Sequence, residues 1–222
     1  MQTGPLIALV SAVPAAIPPA VAALEQSLPG VRVWNVLDDR LIQDADEAGE
    51  VTGALEARMR RLIDHTVREG ADAVLLTCSL YGFVARTAAA DAGVPVLGPD
   101  EAAFDAVRAG GYSSIFLVST VDMALADSTA RLREHLGDSA DFLEIRPVLA
   151  PAALAASRSG DTGATADALA EAIESVGGSA DAILFAQYSL APAAPRVEQL
   201  LGLPVVTGPA KAAAVLSERL GP

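Results

Sequence analysis

The chain holds one cysteine, Cys78, set between two hydroxyl residues in Thr77-Cys78-Ser79 directly after the apolar run Val74-Leu75-Leu76. A thiol at the end of an apolar strand, ahead of a helix expected from Tyr81 to Ala92, can take or give a proton, because helix N-terminal amides and the helix dipole favour the thiolate. The other reading is filler, since cysteine is among the most buried residue types and packs as a small hydrophobe. A purely apolar packing site, however, does not ask for Thr77 and Ser79 as neighbours. Ser11, Ser119 and Thr120 also end apolar runs. With Ser79, their hydroxyls and nearby backbone N–H groups either cradle a small carboxylate without any fixed positive charge or cap the helices that follow. A further strand end reads Ala186-Gln187-Tyr188-Ser189. Gln187 can orient a substrate but is no proton base, and Tyr188 brings either a phenol donor or a ring that closes a pocket. Arg58, Arg60, Arg61 and Arg68 with Glu56, Asp64 and Glu69 read as a solvated helix face, with His65 structural among them.

These strand ends are related because the chain is written twice. Ile7-Ala8-Leu9-Val10-Ser11 recurs as Ile115-Phe116-Leu117-Val118-Ser119, Ala71-Asp72-Ala73-Val74-Leu75-Leu76 as Ala180-Asp181-Ala182-Ile183-Leu184-Phe185, and Gly93-Val94-Pro95-Val96 as Gly202-Leu203-Pro204-Val205. All three blocks keep nearly one register, and in it Cys78 is matched by Gln187. Between the strands lie segments such as Glu47 to Glu69 and Thr162 to Val176, where apolar residues recur at helical spacing against a polar face. Strands apolar on both faces that alternate with helices imply parallel sheets covered on both sides. The expected class is therefore α/β: two pseudo-symmetric, doubly wound lobes, each with a mainly parallel four-stranded sheet. The division is drawn at residues 1–109 and 110–222, with a helix over Lys211 to Leu220 returning to the first lobe. Open parallel sheets bind ligands at the carboxyl ends of their strands, so the expected active-site cleft lies between the lobes.

Composition removes several classes of function. Across 222 residues, 15 Lys+Arg face 28 Asp+Glu for a formal charge of -13, and 52% of the residues are apolar, which excludes disorder for the bulk of the chain. Neither nucleic acid nor an anionic membrane is drawn to such a surface. A lone cysteine and two histidines allow no internal disulfide and no zinc-type spacing, so the expectation is a cytoplasmic protein without a metal. The apolar stretch Leu6 to Leu24 follows no Lys or Arg and is broken by Pro14, Pro18 and Pro19; it reads as strand, loop and helix. No phosphate-loop, dinucleotide or G-x-S-x-G signature is present.

Two pseudo-symmetric α/β lobes, a Thr77-Cys78-Ser79 strand end, Ser119-Thr120 at the start of the second lobe and a mirrored strand end at Ala186 to Ser189 together resemble the aspartate/glutamate/hydantoin racemase superfamily. The likeness runs over essentially the whole chain. That superfamily includes amino-acid and hydantoin racemases, maleate isomerase and arylmalonate decarboxylase, which act without metal or organic cofactor on carbon acids beside a carboxyl group. The resemblance implies a small carboxylate substrate, a homodimer or higher homo-oligomer, and a mechanism in which one cysteine removes the α-proton and another on the opposite face returns it. Cys78 matches the first. The second would fall in Ala186 to Ser189, where there is none, so composition excludes a standard two-cysteine racemase.

What survives is asymmetric: Cys78 carries the proton or a covalent bond, Gln187 and Tyr188 form the opposite polar wall, and Ser11, Thr77, Ser79, Ser119, Thr120 and Ser189 bind the substrate. One-sided proton delivery also suits decarboxylation of a substituted malonate. In the family's decarboxylases the single cysteine belongs to the second lobe, so a product of mirrored configuration would follow here. An isomerase needs only one thiol for covalent addition to a double bond. Two other classes stand beside the enzyme: a cytosolic small-carboxylate-binding protein, and a fold that lost its chemistry with the second cysteine.

Overall fold

Unbroken apolar runs become the central strands of two sheets. In the computed structural model, which describes residues 4–221 and so leaves the outermost residues of both expected lobes outside, β1 (Leu6–Ser11) and β3 (Ala73–Leu76) lie side by side and are buried on both faces apart from Leu6. The edge strand β2 (Arg32–Leu37) mixes half-buried and exposed positions, as an edge requires. With β4 (Val96–Leu97) the first sheet runs β2-β1-β3-β4, all parallel. The second repeats it strand for strand: β5 (Ser114–Ser119), β6 (Glu144–Leu149), β7 (Ala182–Phe185) and β8 (Val205–Thr207) in the order β6-β5-β7-β8, again all parallel. The expected α/β class and its pseudo-symmetry are thus the observed ones.

Each repeated block does the same work in both sheets. The carboxylate of Asp72 accepts the N–H of Leu6 at 2.7 Å, and that of its counterpart Asp181 accepts the N–H groups of Ser113 and Ser114 at 2.7 and 3.0 Å. The carbonyls of Pro95 and Pro204 accept from Val74 and Ile183 at 2.8 and 2.9 Å. These contacts pin the start of the first strand and the register of the last, and the side-chain bonds of Asp72 and Asp181 explain why an aspartate recurs in otherwise apolar blocks.

Helices supply the crossovers that parallel strands need: α1 (Ile17–Ser27), α2 (Arg40–Ala48), α3 (Gly53–Arg68), α4 (Gly82–Ala89) and α5 (Glu101–Ala109), then α6 (Asp122–Leu136), α7 (Ala153–Ser159), α8 (Thr162–Val176), α9 (Ala194–Leu201) and α10 (Gly208–Leu220). α8 has the bounds its periodicity predicts. The helix expected over Glu47 to Glu69 begins only at Gly53 as α3, because Glu47 and Ala48 belong to the end of α2, which Gly49 stops by turning into the left-handed region (φ 72°), and the Thr52 side chain caps α3 by accepting from the Leu55 N–H. His65 of α3 meets the Trp34 ring edge-on, with ring centroids 5.5 Å apart.

By their contacts the residues form two compact units, one running to Asp100 and taking in Ala212 onward, the other Glu101–Lys211. α5 lies before the 109/110 division drawn from the repeat, yet its Ala103, Phe104 and Val107 join Ile115, Leu117 and Leu184 in a core of the second unit. In α10 the buried residues are Ala212, Ala213 and Leu216, and the Ser217 hydroxyl donates to the Ser27 carbonyl at 3.0 Å. Among the described residues no helix is long and apolar enough to cross a membrane.

Candidate active site

At the carboxyl ends of the first sheet, Thr77 Oγ1 donates to Ser11 Oγ at 2.8 Å, and both residues are buried. The pair clamps β1 to β3 just where the chain leaves the sheet. Cys78 follows with extended backbone (φ -115°, ψ 117°) and 8% of its surface exposed. Its carbonyl accepts the Tyr81 N–H at 3.1 Å, closing a 3-10 turn over Ser79–Tyr81. The helix expected from Tyr81 to Ala92 is therefore this turn followed by the shorter α4, and Cys78 stands one turn ahead of the α-helix proper.

Two bonds anchor that turn. The buried Tyr81 hydroxyl donates to the Leu41 carbonyl of α2 at 2.8 Å. Burial, with the neighbouring Cys78 charge next in importance, pushes the Tyr81 phenol up to about 12, so it remains a protonated donor at every ordinary pH. Tyr81→Phe is expected to lower stability by about 1 kcal/mol, the net worth of one such bond, as read from the midpoint of urea unfolding. On the other side, Ser79 Oγ donates to Asp100 Oδ1 at 3.0 Å, and Asp100 is 6% exposed. Asp100 belongs to no motif, and its only signal in the sequence is that of an acid three residues past the end of β4.

Arg58, read from sequence as part of a solvated face, is in fact a strut. Its guanidinium grips Asp38 through Nε and Nη2 at 2.6 and 2.7 Å and reaches Asp44 through Nη1 at 2.8 Å. Those bonds fasten α3 to the residue after β2 and to α2. The spacing of acids and bases along one helix could not reveal this, because Asp38 and Asp44 come from elsewhere in the chain.

In the second unit the matching strand end is built around Gln187. It has the backbone of Cys78 (φ -136°, ψ 135°), and its carbonyl likewise accepts from the third residue on, Leu190, at 3.2 Å. The side-chain Oε1 of Gln187 accepts from Thr120 N at 2.7 Å and Thr120 Oγ1 at 2.9 Å, and Ser119 Oγ lies 3.2 Å away with its one proton divided between that oxygen and the Val121 carbonyl at 3.1 Å. The backbone N–H of Thr120 can only donate, so the orientation of the amide is decided by the protein. No acceptor among the described residues takes the two hydrogens on Gln187 Nε2. Ser119 and Thr120 are buried, whereas Gln187 is partly exposed.

Two expected residues follow Gln187 in the chain. Tyr188 is buried within the 3-10 turn Tyr188–Ala193. Ser189 turns toward α7, its carbonyl accepting from Ser157 Oγ at 3.1 Å, and lines a small open pocket with Ser157, Gly160, Thr162 and Pro192. The structure thus gathers Ser11 with Thr77, Ser79 with Asp100, and Ser119 and Thr120 with Gln187.

The family model for Asp/Glu/Hydantoin racemase matches residues 37–216. Among solved structures, the glutamate racemase of Francisella tularensis in complex with D-glutamate superposes with a TM-score of 0.71 at 9% identity, covering 99% of this chain and 82% of that one. The aspartate racemase of Picrophilus torridus gives 0.70 at 15% identity, over 97% and 94% of the two chains. A glycine-to-cysteine mutant of arylmalonate decarboxylase, in a sulfate-associated form, gives 0.65 at 24% identity, over 96% and 94%. At these identities the likeness is one of fold. No curated protein matches by sequence.

Proposed function

Because the chain belongs to the Asp/Glu/hydantoin racemase family, we propose that it is a cofactor-independent enzyme of carbon-acid chemistry, racemase- or isomerase-like, that acts on a small carboxylate through the thiol of Cys78. The observation that carries this reading is the anchored amide of Gln187, whose oxygen is held by the N–H and hydroxyl of Thr120, with Ser119 Oγ beside it, while its nitrogen keeps two hydrogens for a ligand. A carboxylate accepts such hydrogens. As the α-carbon loses its proton, charge moves onto the carboxylate oxygens, and a donor already in place stabilises that state without reorganising.

In the proposed reaction the Cys78 thiolate takes the α-proton and becomes a thiol; the electron pair of the broken C–H bond enters the enediolate. Returning that proton regenerates both thiolate and substrate on the same face. A single thiol therefore predicts exchange of the α-proton with solvent faster than loss of configuration. Ser11 with Thr77, and Ser119 with Thr120, act in this scheme mainly as the supports of Cys78 and Gln187. One cysteine and a -13 formal charge suit a cytoplasmic enzyme, and the family resemblance carries the expectation of a homo-oligomer.

One observation favours a second reading. Glutamine occupies the position that matches Cys78, and decarboxylation of a substituted malonate needs protonation on one face only. The test of both is to incubate the protein in deuterated water with amino acids, maleate and α-substituted malonates. Deuterium at the α-carbon without loss of substrate identifies proton exchange, and release of carbon dioxide identifies the decarboxylase. Thermal stabilisation by one of these ligands with no turnover of any would overturn the enzyme and leave a binding protein.

A further inference from the structure

Resting on the reading of Cys78 as the reacting group, we propose that Arg58 is its positioning residue: the guanidinium closes a ring of bonds that fixes the backbone on both sides of the thiol. Arg58 holds the Asp38 carboxylate through Nε at 2.6 Å and Nη2 at 2.7 Å. The Asp38 N–H donates to the Ser11 carbonyl at 3.0 Å, and Ser11 Oγ accepts from Thr77 Oγ1 at 2.8 Å, which fixes the residue before Cys78. On the other side the Cys78 carbonyl accepts the Tyr81 N–H at 3.1 Å, and the Tyr81 hydroxyl donates to the Leu41 carbonyl at 2.8 Å. Leu41 lies in α2 with Asp44, whose carboxylate Arg58 holds through Nη1 at 2.8 Å. The ring closes there. Every member belongs to one compact unit, and Leu41, Cys78 and Tyr81 share a core with Leu55 and Met59 of α3. Arginine suits the place, because its planar fork meets two carboxylates at once, which the single ammonium of lysine matches poorly. The three side chains are partly buried, so solvent screens these pairs only in part. With a weaker grip, the carboxylates of Asp38 and Asp44 repel, and α2 carries the Leu41 carbonyl away from Tyr81. A displacement of about 1 Å at a reacting group can cost about a hundredfold in rate.

The Tyr81 amide reports on the ring without any turnover. Its hydrogen exchange is to be measured by NMR in wild type, Arg58→Lys, Tyr81→Phe and the double variant. The Val74 N–H, bonded to the Pro95 carbonyl outside the ring, is the control for global opening. Arg58→Lys is expected to speed the Tyr81 amide about tenfold relative to the Val74 amide, the effect of losing about one hydrogen bond to a charged group. Tyr81→Phe keeps that amide, cuts the ring at Leu41 and should act alike. The double variant should stand within about twofold of Tyr81→Phe, because coupled links do not add and a ring once opened loses little by a second cut. With a substrate found in deuterated water, kcat is expected to fall about tenfold in either single variant while KM holds, since Gln187 and not the ring receives the carboxylate. Asp44→Asn, which releases α2 alone, serves if Arg58→Lys fails to fold. Equal acceleration of both amides, or single effects that multiply in the double variant, overturns the ring. A Tyr81 amide that responds while kcat stays unchanged overturns the positioning role and leaves the reading of Cys78 intact. Wild type that turns over nothing overturns that reading, and the role of Arg58 with it, whatever the amides do.

Discussion

Cys78→Ala is expected to lower α-proton exchange, or whichever turnover the substrate panel reveals, by a thousandfold or more. A positioned general acid or base contributes about 10²- to 10⁴-fold, and here no second thiol shares the task, since the chain has one cysteine. Cys78→Ser is expected to fall almost as far, because a serine hydroxyl holds its proton far more tightly than a thiol. The fold should tolerate both changes, since the strand end is held by the Thr77–Ser11 bond and the turn by Tyr81 and Ser79. Exchange is read as deuterium incorporation by mass spectrometry, with circular dichroism as the check on folding. Activity of the alanine variant within tenfold of wild type would remove Cys78 from the chemistry.

Substitutions at Gln187 are expected to separate support from binding. In Gln187→Glu a side-chain oxygen still accepts from Ser119 and Thr120, now with charge assistance, so stability should hold or rise. The amide hydrogens are gone, however, and an anionic oxygen stands in their place. KM for a carboxylate substrate is expected to rise about a hundredfold, as hydrogen bonds to a charged group are worth about 1.5–3 kcal/mol. In Gln187→Leu the Thr120 N–H loses a 2.7 Å partner in a buried setting. Stability should then fall by about 1–3 kcal/mol, the cost of one buried donor left unsatisfied, alongside the loss in KM. Steady-state kinetics and urea unfolding on the two variants read these effects apart. A glutamate variant with KM within threefold of wild type would show that Gln187 is scaffold and not a ligand to the substrate.

The placement of these residues was legible because strand ends are. A parallel sheet collects ligands at its carboxyl edge, and apolar runs closed by Thr77-Cys78-Ser79 and Ala186-Gln187-Tyr188 announce where that edge falls. The repeat then paired Cys78 with Gln187, and the two share backbone conformation and turn hydrogen bonding. What stayed hidden were partners distant in the chain. Asp100 meets Ser79 across 21 residues and Arg58 meets Asp38 across 20. Neither separation is a helical or strand period, so no pattern within one element could point to it.

The amino-acid sequence by itself determined the two-fold repetition, the α/β class, the register that sets Cys78 against Gln187, and the absence of a second thiol, because these depend on hydrophobic periodicity and residue identity, which are local. Only the tertiary structure decided what each hydroxyl does. It spent Thr77 on Ser11, Ser79 on Asp100 and Thr120 on the Gln187 oxygen, and set Ser119 between that oxygen and the Val121 carbonyl. A hydroxyl has one proton to give, and its direction is settled by whichever acceptor folding brings within about 3 Å.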